Sequence, residues 1–264
     1  MNKNHTFVVL AYKKSEYLED CIKSVLNQSV KTNVIIATST PNDYIKKLAD
    51  KYKINIKVNK NPKGIGYDFD FAIDCAKTKL VTIAHQDDLY DEDYVKEIID
   101  IYDKEKNAII IFPNYYEIRN NDKIYSNKNL KIKNILLFPL RIKGFAGTKF
   151  FKRSVLRFGC SIGCPAVTFV KDRCPNEIFS SNLKCNVDWQ AWEKLSKLSG
   201  KFIYINKYLM GHRIHEESTT TKIIEDNIRT KEDFIMFRKF WPTPIAKILC
   251  RLYQKSENSN KIKE

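Results

Sequence analysis

The 264-residue chain contains no run of about 18 uncharged apolar residues, so no segment reads as a bilayer-spanning helix. Its N-terminus, MNKNHTFVVLAYKKSEY, has one short apolar run and then Lys13, Lys14 and Glu16. That is too little for the apolar region and cleavage site of a secretory signal. The expectation is a protein kept in the cytoplasm. No internal repeat or low-complexity linker occurs, which excludes a string of tethered modules and leaves one compact domain with a C-terminal extension.

The seven cysteines form no paired framework: their number is odd, and a chain of this size does not need stapling. Cys160, Cys164, Cys174 and Cys185 fall close together, but only the first two have the short spacing of a zinc ligand pair, so reduced thiols are expected. Acidic residues are missing altogether between Asp122 and Asp172. That interval carries Lys128, Lys131, Lys133, Arg141, Lys143, Lys149, Lys152, Arg153 and Arg157. Interleaved with them are Leu136, Leu137, Phe138, Phe145, Phe150 and Phe151. The formal charge of +15 narrows the partners to nucleic acid, acidic lipid or a phosphorylated small molecule. No recognised nucleic-acid-binding module is present, so no nucleic-acid partner is expected. The interval reads either as a solvated face over core aromatics or as a membrane-facing patch.

The first 112 residues alternate regularly. Strands are expected at 6–12, 33–39, 54–59, 80–85 and 108–112, and helices at 15–28, 42–52, 67–77 and 91–105. In the first helix Leu18, Ile22, Val25 and Leu26 share a face, with Ser15 as N-cap. This alternation implies a mostly parallel α/β sheet with helices on both faces. Further on, a helix at 187–200 and a strand at 201–206 are expected. In PIAKILCRLYQK, Ile245, Ile248, Leu249 and Leu252 share a helical face, with Lys247, Arg251 and Lys255 elsewhere. That is the pattern of a short interfacial helix or of a helix docked on the domain.

Ligands in such sheets bind beyond the carboxyl ends of the strands. In VTIAHQDDLYDEDYV a strand ends at His85 and Gln86, directly followed by Asp87 and Asp88. Adjacent carboxylates there suit a hard divalent cation, or else complement the dipole of the next helix, as Asp91 to Asp93 do. Asp188, in CNVDWQAW, reads as an N-cap or as a general base. In GHRIHEESTTT, strand spacing turns Arg213 and His215 to one side, where they could jointly meet a phosphate or metal, unless the segment is an exposed loop. The Gly64-Ile65-Gly66 loop precedes a helix, as phosphate-cradling loops do, without a complete dinucleotide fingerprint.

Taken together and in order, VVLAYKKSEYLEDCIKSVLNQS, AKTKLVTIAHQDDLYDEDYVKEII and VDWQAWEKLSKLSGKFIYINKYLMGHRIHEEST resemble segments of family 2 glycosyltransferases of the GT-A fold, of the inverting, bacterial surface-polysaccharide type. The resemblance implies a Rossmann-like GT-A domain over residues 1–220. Residues 1–112 would bind the nucleotide-sugar, 113–220 would bind the acceptor, and 221–264 would form a helical extension. It implies Asp188 as the catalytic base, and Mg2+ or Mn2+ held by Asp87, Asp88 and His215. The donor-binding set would be Ala11, Tyr12, Thr38, Gly66, Asp68, His85, Gln86, Asp87 and Arg213. The implied partners are a UDP- or other NDP-sugar, a saccharide or lipid-linked acceptor, and the anionic inner face of the plasma membrane. Two positions depart from the pattern: IATSTPND lacks the two Asp residues and Gly usual after the second strand, and His85 stands where the metal motif usually begins with Asp. These substitutions leave a silent, nucleotide-binding or scaffolding GT-A domain as the alternative, with nucleotidyl transfer on a similar sheet as a second.

Overall fold

The computed structural model describes residues 4–61, 64–142, 144–215 and 228–258, with backbone alone for 255–258. Strand β1 (His5–Ala11), HTFVVLA, buries six of its seven residues. A strand covered on both faces lies inside a sheet, and β1 runs parallel to β2 (Asn33–Thr38) and to β4 (Leu80–His85). Strand β3 (Asn55–Val58) pairs in parallel with β2 at one edge. The crossovers are α1 (Leu18–Leu26), α2 (Asp43–Tyr52) and α3 (Ile65–Cys75).

Then follow β5 (Leu89–Tyr90), α4 (Tyr94–Lys104), β6 (Ala108–Arg119), β7 (Asp122–Ile124), β8 (Thr168–Val170) and β9 (Lys201–Arg213). Among the described residues these strands make one sheet in the order β3-β2-β1-β4-β8-β6-β9-β5, with β7 paired to β6. β6 runs parallel to β9, whereas β8 and β5 pair antiparallel. The sheet is therefore parallel over most of its paired length, and its antiparallel pairings are confined to the side beyond β4.

Helices cover both faces. Phe7, Val9, Leu18, Ile22, Ile45, Tyr94 and Ile98 fill one layer. The other holds Val8, Phe69, Ile83, Phe169, Trp189 and Trp192. Helices α8 (Ile228–Arg238) and α9 (Thr243–Asn258) add Met236, Phe237, Ala246 and Cys250 to that second layer. The C-terminal helices thus pack into the core. No described helix is long and apolar enough to cross a membrane, and none of the seven cysteines forms a disulfide.

Several boundaries differ from those read in the sequence. The strand expected to end at 112 continues to Arg119, and its Pro113 sits at a register shift, where a missing N–H costs no ladder bond. The strand expected at 201–206 continues beside it to Arg213. The fourth helix starts only at Tyr94, because Leu89 and Tyr90 pair with Gly211 and Met210. Helix α1 starts at Leu18; the Ser15 hydroxyl accepts the Tyr17 N–H and shapes the turn before it. Leu26 is 44% exposed, and Cys21 takes its place in the core.

The basic interval is partly internal. Lys152 is fully buried and donates to the carbonyls of Leu198 and Gly200, at the close of the helix that carries Asp188. Burial, with Lys149 nearby, pulls its amine down to about 8. Arg153 turns inward to Glu193. Lys143 lies outside the described residues.

His5 is also fully buried, bonded to Thr32 and Thr82. Burial drives its pKa down to about 3. Between that value and the ordinary 6.5, the unfolded chain binds a proton that the folded chain refuses. Stability therefore falls as pH drops through this window, by about 1.4 kcal/mol per pH unit. Urea unfolding at pH 6.5 and pH 5 should show the loss, and His5→Asn should flatten the slope.

Candidate active site

Strands β1 to β4 run parallel, so their carboxyl ends lie along the same rim. The β4 backbone turns sharply, with the Asp88 N–H on the His85 carbonyl at 3.2 Å. The Cys21 thiol donates to that carbonyl as well. The turn brings out Asp87 and returns Asp88 to the interior, where Asp88 is 0% exposed. One Asp88 oxygen, Oδ1, accepts the Arg213 N–H at 2.9 Å and His212 Nδ1 at 3.0 Å. Asp87 Oδ2 meets His215 Nε2 at 2.9 Å, and its backbone carbonyl accepts Arg213 Nε at 3.0 Å. Strand β9 therefore delivers His212, Arg213 and His215 onto the acidic pair. Tyr17, just before α1, lies under the Arg213 guanidinium at 4.5 Å and beside the His215 ring at 5.0 Å.

These contacts set the protonation states. Burial pushes the Asp87 carboxyl up. The His215 hydrogen bond and the charges of His85, His212 and His215 more than offset this, holding it below the usual Asp value. Burial pulls His212 down, while Asp88, by charge and hydrogen bond, and Asp87 raise it above the ordinary histidine value.

His85, Asp87 and Asp88 offer ligand atoms within 4.8 Å of one another. His85 Nε2 and Asp88 Oδ2 are both buried without a hydrogen-bond partner. A buried acceptor left unpaired is costly, and an imidazole nitrogen with two carboxylate oxygens is a fitting set for a divalent cation. The residues present thus fit the metal that the DD motif implies.

Beside this cluster, the Gln86 amide bonds both backbone groups of Tyr12, at 2.9 and 3.1 Å, and ties the end of β1 to the turn after β4. Thr38 is buried and its hydroxyl accepts the Thr40 N–H. Asp68, on α3, accepts Ser39 Oγ and Asn59 Nδ2, each at 2.8 Å. A carboxylate therefore stands at the ends of β2 and β3 although IATSTPND has none until Asp43. Gly66 is needed for packing: a Cβ there would lie 2.6 Å from the Phe179 carbonyl oxygen. Ala11 is buried at the end of β1.

Asp188 lies in the first turn of α7 (Val187–Ser196). Its Oδ1 accepts the Trp189 N–H at 2.7 Å and its Oδ2 the Cys160 thiol at 3.4 Å. The buried Cys164 thiol is pushed up by burial and then by the charges of Asp188 and Asp88. Residues with no obvious sequence signal hold this arrangement. Asp70 takes the N–H groups of Ile178, Phe179 and Ser180. Glu232, from α8, takes those of Lys184, Cys185 and Asn186 at 2.7, 2.8 and 3.0 Å, and Asp233 takes the Asn186 amide. The loop leading into α7 is thus clamped at both ends by carboxylates distant in sequence.

Residues 6–164 match the family described as Glycosyl transferase family 2. The chain belongs to this family. It is a glycosyltransferase, and the expected GT-A architecture is the one observed. It is 20% identical over 223 residues to Glycosyltransferase GlyG of Streptococcus pneumoniae serotype 4, covering 81% of this chain and 71% of that protein. Among solved structures, Staphylococcus aureus TarS 1–349 in complex with UDP-GlcNAc is similar with a TM-score of 0.67 at 14% identity, over 94% of this chain and 70% of that one. The mannosyltransferase PcManGT of Pyrobaculum calidifontis, in complex with GDP-Man and Mn2+, gives 0.61 at 12%, over 95% and 69%.

The Glu232 clamp yields a prediction for this glycosyltransferase. Glu232→Ala leaves three N–H groups without their acceptor and should lower the unfolding free energy by about 2–4 kcal/mol. Glu232→Gln, which keeps an acceptor oxygen, should lose less, as read by urea unfolding of both variants.

Proposed function

We propose that the enzyme transfers a sugar, with inversion, from a nucleotide-sugar to an acceptor hydroxyl, in the synthesis of cell-surface polysaccharide or glycoconjugate. The observation that carries this reading is the cluster of His85, Asp87 and Asp88 at the end of β4, met by His212, Arg213 and His215 from the far end of the sheet. The charges of Asp88 and of the lone carboxylate Asp188 both act on the buried Cys164 thiol. The donor is read as a UDP- or other NDP-sugar, in keeping with the UDP-GlcNAc and GDP-Man in the similar structures.

In this reading residues 1–112 bind the donor and 113–220 the acceptor, with 221–264 as a helical extension. Tyr12, steadied by Gln86, and Asp68, steadied by Ser39 and Asn59, receive the nucleoside. Arg213, braced on Tyr17 and the Asp87 carbonyl, faces the diphosphate. Asp87 and Asp88 hold Mn2+ or Mg2+ with His85, and His215 orients Asp87 or joins the ligands. When bound, the cation supplies Lewis-acid neutralisation of charge on the departing nucleoside diphosphate. Asp188 accepts the acceptor's proton at Oδ2, the oxygen that carries only the weak Cys160 thiol bond. One base suffices in this reading, because a nucleoside diphosphate leaves as a stable anion and, unlike the alcohol released in glycoside hydrolysis, needs no general acid. A saccharide or lipid-linked acceptor fits an enzyme working peripherally at the inner face of the plasma membrane.

Two experiments test the proposal. Asp188→Asn should lower transfer by about 10²–10⁴-fold while donor binding by calorimetry stays near wild type; retained activity would sink the base assignment. Thermal shift with nucleoside diphosphates should show a cation-dependent rise for one base. The rise should be larger with Mn2+ than with Mg2+, since imidazole favours the softer ion. His85→Asp should narrow that difference, and no cation dependence would remove the metal assignment.

A further inference from the structure

The basic interval, once its inward members are set aside, leaves a surface of unusual composition. Helix α5 (Lys128–Leu137) buries Leu130 and Leu137 and turns Lys133 inward. Its opposite face presents Lys128, Lys131, Ile132 and Ile135, the last 71% exposed. The chain continues outward through Phe138 (56%), Arg141 and Ile142. On α6 (Lys149–Ser154), Lys149 and Phe150 (62%) are exposed, and Phe150 lies beneath the Arg157 guanidinium at 5.7 Å. Arg157 also stands over Trp241, which touches the exposed Phe158.

Helix α9 joins this surface. It docks through Ala246, Leu249, Cys250 and Tyr253, and leaves Ile245, Ile248 and Leu252 outside, beside Lys247 and Arg251. It is thus both a docked helix and one with an uncovered apolar edge. Tyr253 abuts Gly159, where a Cβ would lie 2.6 Å from its ring. Tyr253 also packs on Trp189, the residue after Asp188, with ring centroids 5.8 Å apart, while Lys133 of α5 donates to Tyr115. The uncovered apolar edge of α9 therefore belongs to a helix packed on the segment that holds Asp188.

Isolated exposed apolar residues are ordinary, but here they alternate with cations, and no Asp or Glu occurs from Lys123 to Lys171 or from Thr243 to Tyr253. Charge complementarity selects an anionic surface, and the isoleucines and phenylalanines select one that admits apolar groups to shallow depth. A soluble acidic polymer satisfies only the first condition. We propose that this face, formed by α5, Phe138 to Ile142, Phe150, Phe158 and the outer edge of α9, docks on an anionic lipid bilayer and sets the Asp188 end of the cleft against the membrane. The proposal rests on the peripheral placement given above and extends it to named residues.

The test is flotation of the full chain with vesicles of phosphatidylcholine alone and with a third phosphatidylglycerol. The wild type should float with the anionic vesicles, at least tenfold less with the neutral ones, and progressively less as salt rises from 0.1 to 0.5 M, roughly as expected for surface electrostatics. Ile135→Glu/Phe138→Glu/Ile248→Glu/Leu252→Glu should reduce the floated fraction at least tenfold. Its substitutions are all exposed, so the melting temperature and any nucleotide-dependent shift should match wild type. If the wild type stays unbound at 0.1 M salt, or the variant floats as well as the wild type, the proposal is overturned. It is equally overturned if the wild type fails to float but sediments as a dimer that the variant dissolves, since a second copy then covers the face. Flotation reads no sugar transfer, so a failed nucleotide shift with intact flotation would count against the proposed reaction and leave the docking face standing.

Discussion

The Asp88 carboxylate is the hinge of this molecule. It is buried, and a buried carboxylate is costly unless it is paired or bound to a cation. Its Oδ1 is met by the Arg213 N–H and by His212, which fixes the far end of β9 against the turn after β4. That contact adds a side-chain tie to the β8 pairings that already join the parallel, N-terminal half of the sheet to the long β6–β9 pair. It also fixes Arg213 and His215 over Asp87, because both belong to the segment that Asp88 anchors. Removing one partner of such a buried group typically costs about 3–5 kcal/mol. The stability of the sheet junction and the geometry of the cleft are therefore one problem.

A second set of carboxylates does for the loop before α7 what Asp88 does for β9. Asp70 gathers the N–H groups at 178–180 and Glu232 those at 184–186. Irregular backbone has no ladder to satisfy its donors, so a distant carboxylate takes that place. Lys152 answers the same need at the other end of α7, where the carbonyls of Leu198 and Gly200 require a donor. Asp188 thus sits on a helix whose entry and exit are both held by side chains from other elements, one of them in the C-terminal helices.

The charge pattern separates into two kinds of residue once side chains are placed. Lys133, Lys152 and Arg153 serve the interior, bonding Tyr115, backbone carbonyls and Glu193. Lys128, Lys131, Arg141 and Lys149 remain on the surface among exposed apolar groups. The interval thus contributes to the core and leaves a basic, apolar face outside.

Much was legible in the chain itself. The regular alternation of apolar runs and amphipathic stretches fixed the α/β sheet, because period-2 and period-3.6 burial leave different local patterns. The abrupt end of β4 in HQDD marked the candidate metal cluster, since carboxylates gain nothing from packing. What the chain could not show is which distant groups meet. Nothing in the spacing brings Glu232 to the loop before Asp188, sets Asp68 beside Ser39 and Asn59, or turns Lys152 inward while Lys149 stays out. The length of β6 past Pro113 was hidden for the same reason, as only its register with β9 decides whether a missing N–H is tolerated. Local periodicity is written along the chain, whereas hydrogen-bond satisfaction of buried polar groups is a property of neighbours that only the folded chain brings together.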